Sequence, residues 1–452
     1  MLAGLARDGG LYVPESWPQF APEDIAALAG LPYAEAAYRV MREFVGDDIG
    51  DDEFARIVDD AYRTFDHPDV APLVKIGSQT WVLELFHGPT LAFKDIAMQL
   101  LARLMDRALA RRGERITIVG ATSGDTGGAA VEAFAGREAI DIFILHPHGR
   151  VSDVQRRQMT SVTEANVHNI AIQGTFDDCQ ALVKALFNDL ALRDRLSLAA
   201  VNSINWARIM AQTVYYFTAA AALGAPDGPL SFSVPTGNFG DIFAGYVAAR
   251  MGLPVSRLVI ATNENDILAR TLASGRYQPK GVIATTSPSM DIQVSSNFER
   301  LLFEVSERNG GRVQSMMGDL GESGAIELAP AELQRIRAQF VGHRIDQDET
   351  AQTIKRLCEE MDYIIDPHTA VGVAAAVHEE LEPDAAMVVL GTAHPAKFPD
   401  AVTRACGKAP SIPERLAKRL QAEERYDVLP NDLAGLADYL TQRTSAIAEP
   451  QS

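Results

Sequence analysis

The chain has 452 residues, too many for one compact core, so two or more packed units are expected. Apolar residues make up 47% and charged residues 22%, the balance of an ordinary globular protein. The formal net charge of −19 leaves no basic field to draw in nucleic acid, although a small anionic substrate needs only a local cluster of donors.

Three cysteines, Cys179, Cys358 and Cys406, lie far apart without a C-x-x-C pair. That pattern fits reduced thiols and argues against a disulfide framework or a zinc site. The first residues, "MLAGLARDGG", lack the apolar run of a signal peptide. A cytoplasmic protein is expected, as a monomer or weak homodimer.

In the first 75 residues, "APEDIAALAGL" (21–31) and "DDEFARIVDDAYRTF" (51–65) space their apolar residues by three and four, which predicts short helices. Asp51 and Asp52 suit a helix start by meeting the N-terminal dipole. "ELFHGPTLAFKD" (84–95) then sets Lys94 just past a Gly88-Pro89 turn, at the head of the apolar run "IAMQLLARLM". Such a lysine is either a solvated charge or an amine held at the mouth of a cleft.

From residue 115 the pattern changes. "RITIVG", "IDIFILHP", "VHNIAIQG", "LSLAAVN", "LSFSVP", "RLVIATN" and "AMVVLG" read as strands. Helical stretches such as "FDDCQALVKALFNDL" and "NFGDIFAGYVAARMG" fall between most of them. This alternation predicts βαβ units and an α/β fold with largely parallel sheets. The strands suffice for two sheets, with a division near "LGAPDGP" (223–229). "WARIMAQTVYYFTAAAALG" (206–224) is the best membrane candidate, but Arg208 and Gln212 inside it favour a buried helix. The expected organisation is a mainly helical region over 1–75, a smaller α/β domain over 76–225, a larger one over 226–405, and a helical segment over 406–452.

Four strand-to-helix turns are more polar or glycine-rich than connectors need to be, and in open α/β sheets such turns gather around ligands. "IVGATSGDTGGAA" (118–130) offers Thr122, Ser123, Asp125 and Thr126 at a helix start, where free amides can bind an anion. It has no Walker lysine and no G-x-G-x-x-G spacing, and a capped glycine turn is an even alternative. "SVPTGNFGDIFAG" (233–245) sets Gly237 and Gly240 around Asn238 and Phe239, where several N–H groups can converge on a monophosphate. A tight turn with no ligand accounts for it about equally well. "VNSINWARIMAQ" (201–212) brings Asn202, Ser203 and Arg208 to a helix start. Capping by Ser203, with Arg208 in a surface ion pair, is the more ordinary reading of that stretch alone. In "LGTAHPAKFPDAV" (390–402), Thr392 ends an apolar strand and His394-Pro395 turns the chain. No histidine shows zinc spacing, so no metal is expected. A lysine at a turn, a monophosphate-type loop and further anion-binding turns on one scaffold are what pyridoxal phosphate requires. Its aldehyde needs a lysine for a Schiff base, its phosphate a cradle of amides, and its ring nitrogen a partner.

"HGPTLAFKDIAMQ" resembles the cofactor-lysine signature of the threonine synthase family, in its bacterial and fungal branch. "GATSGDTGGAA", "NSINWARI", "VPTGNFGD", "TNEND", "SPSMDIQVSSNFERLLFE", "DPHTAVG" and "TAHPAKFP" resemble further segments in that family's order, over nearly the whole chain. The resemblance implies a fold-type II (tryptophan-synthase-β-type) enzyme with pyridoxal 5'-phosphate between two α/β domains. It implies Lys94 as the Schiff-base lysine, Gly237, Asn238, Phe239 and Gly240 around the cofactor phosphate, and Thr392 facing the ring nitrogen. Thr122, Ser123, Asp125 and Thr126 would surround the amino-acid end of the substrate, and Asn202, Ser203 and Arg208 its phosphate. The implied substrate is O-phospho-L-homoserine and the implied product L-threonine. Two other outcomes stay open: a phospholyase releasing 2-oxobutyrate, or a non-catalytic ligand-binding relative. Family members usually carry a short strand of the type Tyr-x-Ser-Thr-Arg-Gly before the segment that here reads "GLARDGGLYVPE", and this sequence starts almost at the latter.

Overall fold

The structure is a computed structural model that describes residues 2, 4–6, 8–122 and 124–446. Two sheets organise it. The smaller runs in the order Asp427–Pro430, Val167–Gln173, Ile140–Pro147, Ile116–Ala121, Leu198–Ala199, with every neighbouring pair parallel. The larger runs Leu73–Lys75, Thr80–Glu84, Ala386–Gly391, Leu230–Pro235, Val255–Thr262, Phe340–Arg344. It is parallel except for its first hairpin. Ile140–Pro147 and Leu230–Pro235 are buried along their whole lengths. Helices cover both faces of such strands, which explains why they read as continuous apolar runs rather than as alternations.

The chain moves between the sheets. Its first two strands join the larger sheet, the next four build the smaller, and the segment from Leu230 to Gly391 returns to the larger. The tail departs from its helical reading: between helices Glu414–Gln421 and Leu433–Arg443, "DVLP" adds an edge strand to the smaller sheet. Only two residues of "LSLAAVN", Leu198 and Ala199, pair as a strand, and Ser197 just before them takes a positive φ of 49°. The edge strand "FVGHR" escapes sequence reading because it pairs on one side only and needs no apolar alternation.

Helix Trp206–Ala222 is buried over almost its full length, packed by helices Tyr33–Val45, Lys94–Arg112 and Gly240–Arg250. Among the described residues no helix is long and apolar enough to cross a membrane. Helices Tyr33–Val45 and Asp51–Tyr62 also pack together, the second opening on Asp51, Asp52 and Glu53 as its charge pattern predicts.

Candidate active site

Lys94 is the first residue of helix Lys94–Arg112, and the turn before it is locked from inside. Asp95 accepts from the Thr90 amide and the Thr90 hydroxyl, each at 2.7 Å. A Cβ on Gly88 would come within 2.5 Å of the Asp95 side chain, so only glycine lets the chain pass there. The turn is also stitched to the end of strand Ala386–Gly391. The Phe93 amide donates to the Thr392 carbonyl at 2.9 Å, and the His394 amide to that of Leu91 at 3.0 Å. Thr392 therefore lies beside the lysine although 298 positions separate them in the chain.

The Lys94 amine is buried. It donates to the Ser289 hydroxyl at 3.4 Å and lies 3.9 Å from Asp125 Oδ2. Burial lowers its pKa to about 8; Lys397 and Arg208 push the same way, against the pull of Asp125. Asp125 begins helix Asp125–Phe134, and its other oxygen is 2.8 Å from the Lys397 ammonium and 3.0 Å from Gln155 Nε2. Burial alone would raise the Asp125 carboxyl, yet Lys397 and then Lys94 hold it well below the ordinary carboxylate range. In the same turn the Thr122 hydroxyl accepts from the Gly124 and Gly127 amides, each at 3.1 Å, so it shapes the loop. Thr126 is half-buried on the first turn of the helix, and Ser123 lies outside the described residues.

The loop from Pro235 to Gly240 passes against residues 289–292. A Cβ on Gly237 would sit 2.9 Å from the Ser289 carbonyl oxygen and 3.0 Å from Ile292. Phe239 takes φ 63°, rare for a residue with a Cβ, while its ring packs against Phe298 and Phe340. Asn238 accepts from the Ser296 hydroxyl through Oδ1 at 3.1 Å, and from the Asn297 side chain through its carbonyl at 3.0 Å. The Asn297 side chain also donates to the Ser203 carbonyl at 3.2 Å, tying the glycine loop to the turn before helix Trp206–Ala222.

That helix is capped by Asn205, which accepts from the Ala207 amide at 3.1 Å, and not by Ser203. Nor is Arg208 a surface residue. It is 3% exposed, and its Nε and Nη1 meet no acceptor among the described residues. Burial lowers its pKa to about 10. Asn202 Oδ1 is likewise buried without a donor among the described residues. Unpartnered buried polar atoms of this kind are costly and mark a place where a polar ligand belongs.

Family models described as "Threonine synthase N terminus", "Pyridoxal-phosphate dependent enzyme" and "Threonine synthase, C-terminal" match residues 1–62, 70–331 and 369–440. The threonine synthase of Pseudomonas aeruginosa is 54% identical, over 98% of this chain and 94% of its own. The chain belongs to the threonine synthase family. The threonine synthase of Saccharomyces cerevisiae is 41% identical over 95% of this chain and 92% of its own. Among solved structures, the PLP-bound threonine synthase of Brucella melitensis superposes with a TM-score of 0.96 at 58% identity. It covers 98% of this chain and 95% of its own. The yeast enzyme reaches 0.93 at 38% identity, covering 97% and 94%. As expected from its sequence, this chain has the fold-type II architecture and is a pyridoxal-phosphate-dependent lyase.

The residues present fit the cofactor of a threonine synthase. A buried amine of lowered pKa is available, and the Gly237 cradle is one that a Cβ would fill. Sequence reasoning did not single out Lys397, Gln155, Ser289, Asp366 or His368. Lys397 lay within the quoted "TAHPAKFP", and a lysine between apolar residues that packing buries completely was the one available signal.

Proposed function

We propose that this chain converts O-phospho-L-homoserine and water to L-threonine and phosphate. The observation that carries this reading is Arg208, a buried guanidinium near Lys94 whose Nε and Nη1 lack acceptors among the described residues. A planar guanidinium matches a phosphate in two-pronged fashion, and a phosphorylated substrate would supply the missing acceptors.

When bound, pyridoxal phosphate supplies an electron sink for a carbanion formed next to the substrate nitrogen. Lys94 would hold the cofactor, and the amides of Gly237, Asn238, Phe239 and Gly240 its phosphate. Thr392 would face the ring nitrogen. Its hydroxyl is neutral, which suits elimination and replacement better than transamination. The Lys94 amine, when free and unprotonated, would take the Cα proton and, once it has handed that proton on, could take one from Cβ. A lysine of pKa about 8 is a competent base near neutral pH. The C–O bond at Cγ breaks and phosphate leaves toward Arg208, Asn202 and Ser203. One of the two protons, returned to Cγ, makes the methyl group. Water bonds to Cβ through its oxygen and gives up a proton to the departing phosphate, and the second proton returns to Cα. Asp125 and Thr126, with Thr122 and Ser123, would orient the amino-acid end. The protein is expected to work in the cytoplasm as a monomer or weak homodimer.

Product chromatography after incubation with phosphohomoserine tests this reading. Threonine and phosphate in equal amounts are expected, whereas mainly 2-oxobutyrate would make the protein a phospholyase. Lys94→Ala should lose nearly all turnover and all borohydride-trapped cofactor. A variant that still traps cofactor at the same yield would overturn the lysine assignment.

A further inference from the structure

Among the described residues Lys94 touches one hydroxyl, that of Ser289, and Ser289 is held in turn by a buried histidine–aspartate pair. Asp366 has no exposure and caps helix Pro367–Val377. Its Oδ1 accepts from the Thr369 amide and hydroxyl, and its Oδ2 from the His368 amide at 2.9 Å. The same Oδ2 lies 2.7 Å from His368 Nδ1. A ring nitrogen facing a carboxylate carries the proton, which leaves Nε2 as an acceptor. Nε2 receives the backbone N–H of Ser289 at 3.2 Å. The Phe398 ring, 4.8 Å from the imidazole, packs beside it.

The far side of the Ser289 turn is clamped independently. Asp291 accepts through Oδ1 from Asn263, Asn265 and Thr285 at 2.7–3.0 Å. The histidine adds control over one residue, the one whose hydroxyl meets Lys94 and whose carbonyl abuts Gly237. Burying a polar pair costs desolvation that apolar filling would not, and what the pair supplies in return is direction.

We propose that Asp366 and His368 are positioning residues that act through Ser289, whose hydroxyl orients the Lys94 amine. This rests on Lys94 being the cofactor-binding amine. The chain of contacts is Asp366 Oδ2, His368 Nδ1 and Nε2, Ser289 N and Oγ, Lys94 Nζ. No proton need travel along it, since its work is to keep the amine on one line of approach.

The test uses the full-length protein and two readouts. The first, with no substrate present, is the rate at which pyridoxal phosphate added to cofactor-free protein becomes trappable on Lys94 by borohydride, located by peptide mass. The second is kcat and KM with phosphohomoserine. Ser289→Ala and His368→Leu should each slow trapping and lower kcat by about tenfold or more, with KM changed less than about twofold. The double variant should be no slower than the worse single one, because both changes break the same chain. His368→Gln, which can present an oxygen where Nε2 accepts, should recover most of the loss. An unaltered trapping rate in Ser289→Ala, or losses that multiply in the double variant, would overturn the proposal. If His368→Leu does not fold, His368→Phe, which keeps a ring beside Phe398 but offers no acceptor, takes its place, and a trapping rate equal to wild type in it would overturn the proposal. Failure of the wild type to trap cofactor on Lys94 would remove the lysine assignment and this inference with it. Trapping without threonine formation would count against the substrate reading and leave this inference to the trapping rates.

Discussion

The Lys397 ammonium lies 2.8 Å from Asp125 Oδ1, with its side chain wholly out of solvent, and it also donates to the Thr90 carbonyl at 2.7 Å. Asp125 is thus shared between two lysines, with Lys94 3.9 Å from its other oxygen. The arrangement keeps Asp125 ionised without letting it belong to Lys94 alone. Lys397→Met should leave Asp125 to pair with Lys94 and remove a positive charge that helps depress the Lys94 amine. The Lys94 pKa then moves up from about 8, so the rise of kcat with pH should shift to higher pH. Removing one partner of a buried pair also costs about 3–5 kcal/mol, which a thermal melt would register. A pH–rate profile superimposable on the wild type would show that Lys397 is only structural.

Arg208→Leu separates binding from stability. If its guanidinium grips the substrate phosphate, losing that contact costs on the order of 2–5 kcal/mol. The ratio kcat/KM should then fall by roughly 30-fold or more, with the cofactor retained. Because Nε and Nη1 are buried without acceptors among the described residues, the substrate-free leucine variant should melt no lower than the wild type. Lysine at this position should rescue only part of the activity, since a point charge cannot reproduce a planar fork. Unchanged kinetics in Arg208→Leu would remove the residue from the site.

The two glycines of the Pro235–Gly240 loop, proposed to hold the cofactor phosphate, should differ in tolerance. A methyl at Gly237 meets the Ser289 carbonyl at 2.9 Å and the Met290 Cα at 3.4 Å, so backbone must move. At Gly240 the nearest atom, Asn297 Nδ2 at 3.2 Å, belongs to a side chain. Gly237→Ala should weaken cofactor binding by about tenfold or more, and Gly240→Ala by less. Fluorescence titration of the cofactor-free proteins measures both. Equal losses would show that the close approach to Ser289 is not what requires glycine.

Asp241, the second residue of helix Gly240–Arg250, is buried beneath the same loop. Both the Tyr215 and Tyr216 hydroxyls donate to its Oδ1, while Oδ2 has no partner among the described residues. Burial raises its pKa to about 7, opposed by the two tyrosines. Below about pH 4 the folded and unfolded chains both hold this proton and folding carries no penalty. Between about 4 and 7 the unfolded chain releases it first, so stability falls as pH rises, at about 1.4 kcal/mol per unit of pKa difference. Asp241→Asn removes the ionisation. Its melting temperature relative to wild type should rise from about pH 4 to pH 7 and stay level above. A difference that does not vary with pH would mean that Asp241 titrates at its ordinary value.

The sequence by itself determined the alternation of strands and helices, the lysine turn and the glycine loop. Each is a local demand of the backbone. A buried parallel strand must be apolar on both faces, the turn before Lys94 must break the chain at Gly88-Pro89, and the loop before Gly240 must pass close to other backbone. The same locality explains what stayed illegible. "DVLP" has no strand signal of its own and becomes a strand only because Val167–Gln173 presents an open edge. In its own stretch Arg208 also passes for a surface ion pair, and only the packing of three other helices on Trp206–Ala222 shows it buried. Lys94 meets Ser289 across 195 residues, and Lys397 reaches the Thr90 carbonyl across 307. Nothing in the spacing of a chain specifies such pairs. They arise when the larger sheet carries the turns after Glu84 and Gly391 to one edge, and packing then decides which amines share a carboxylate and which lose water.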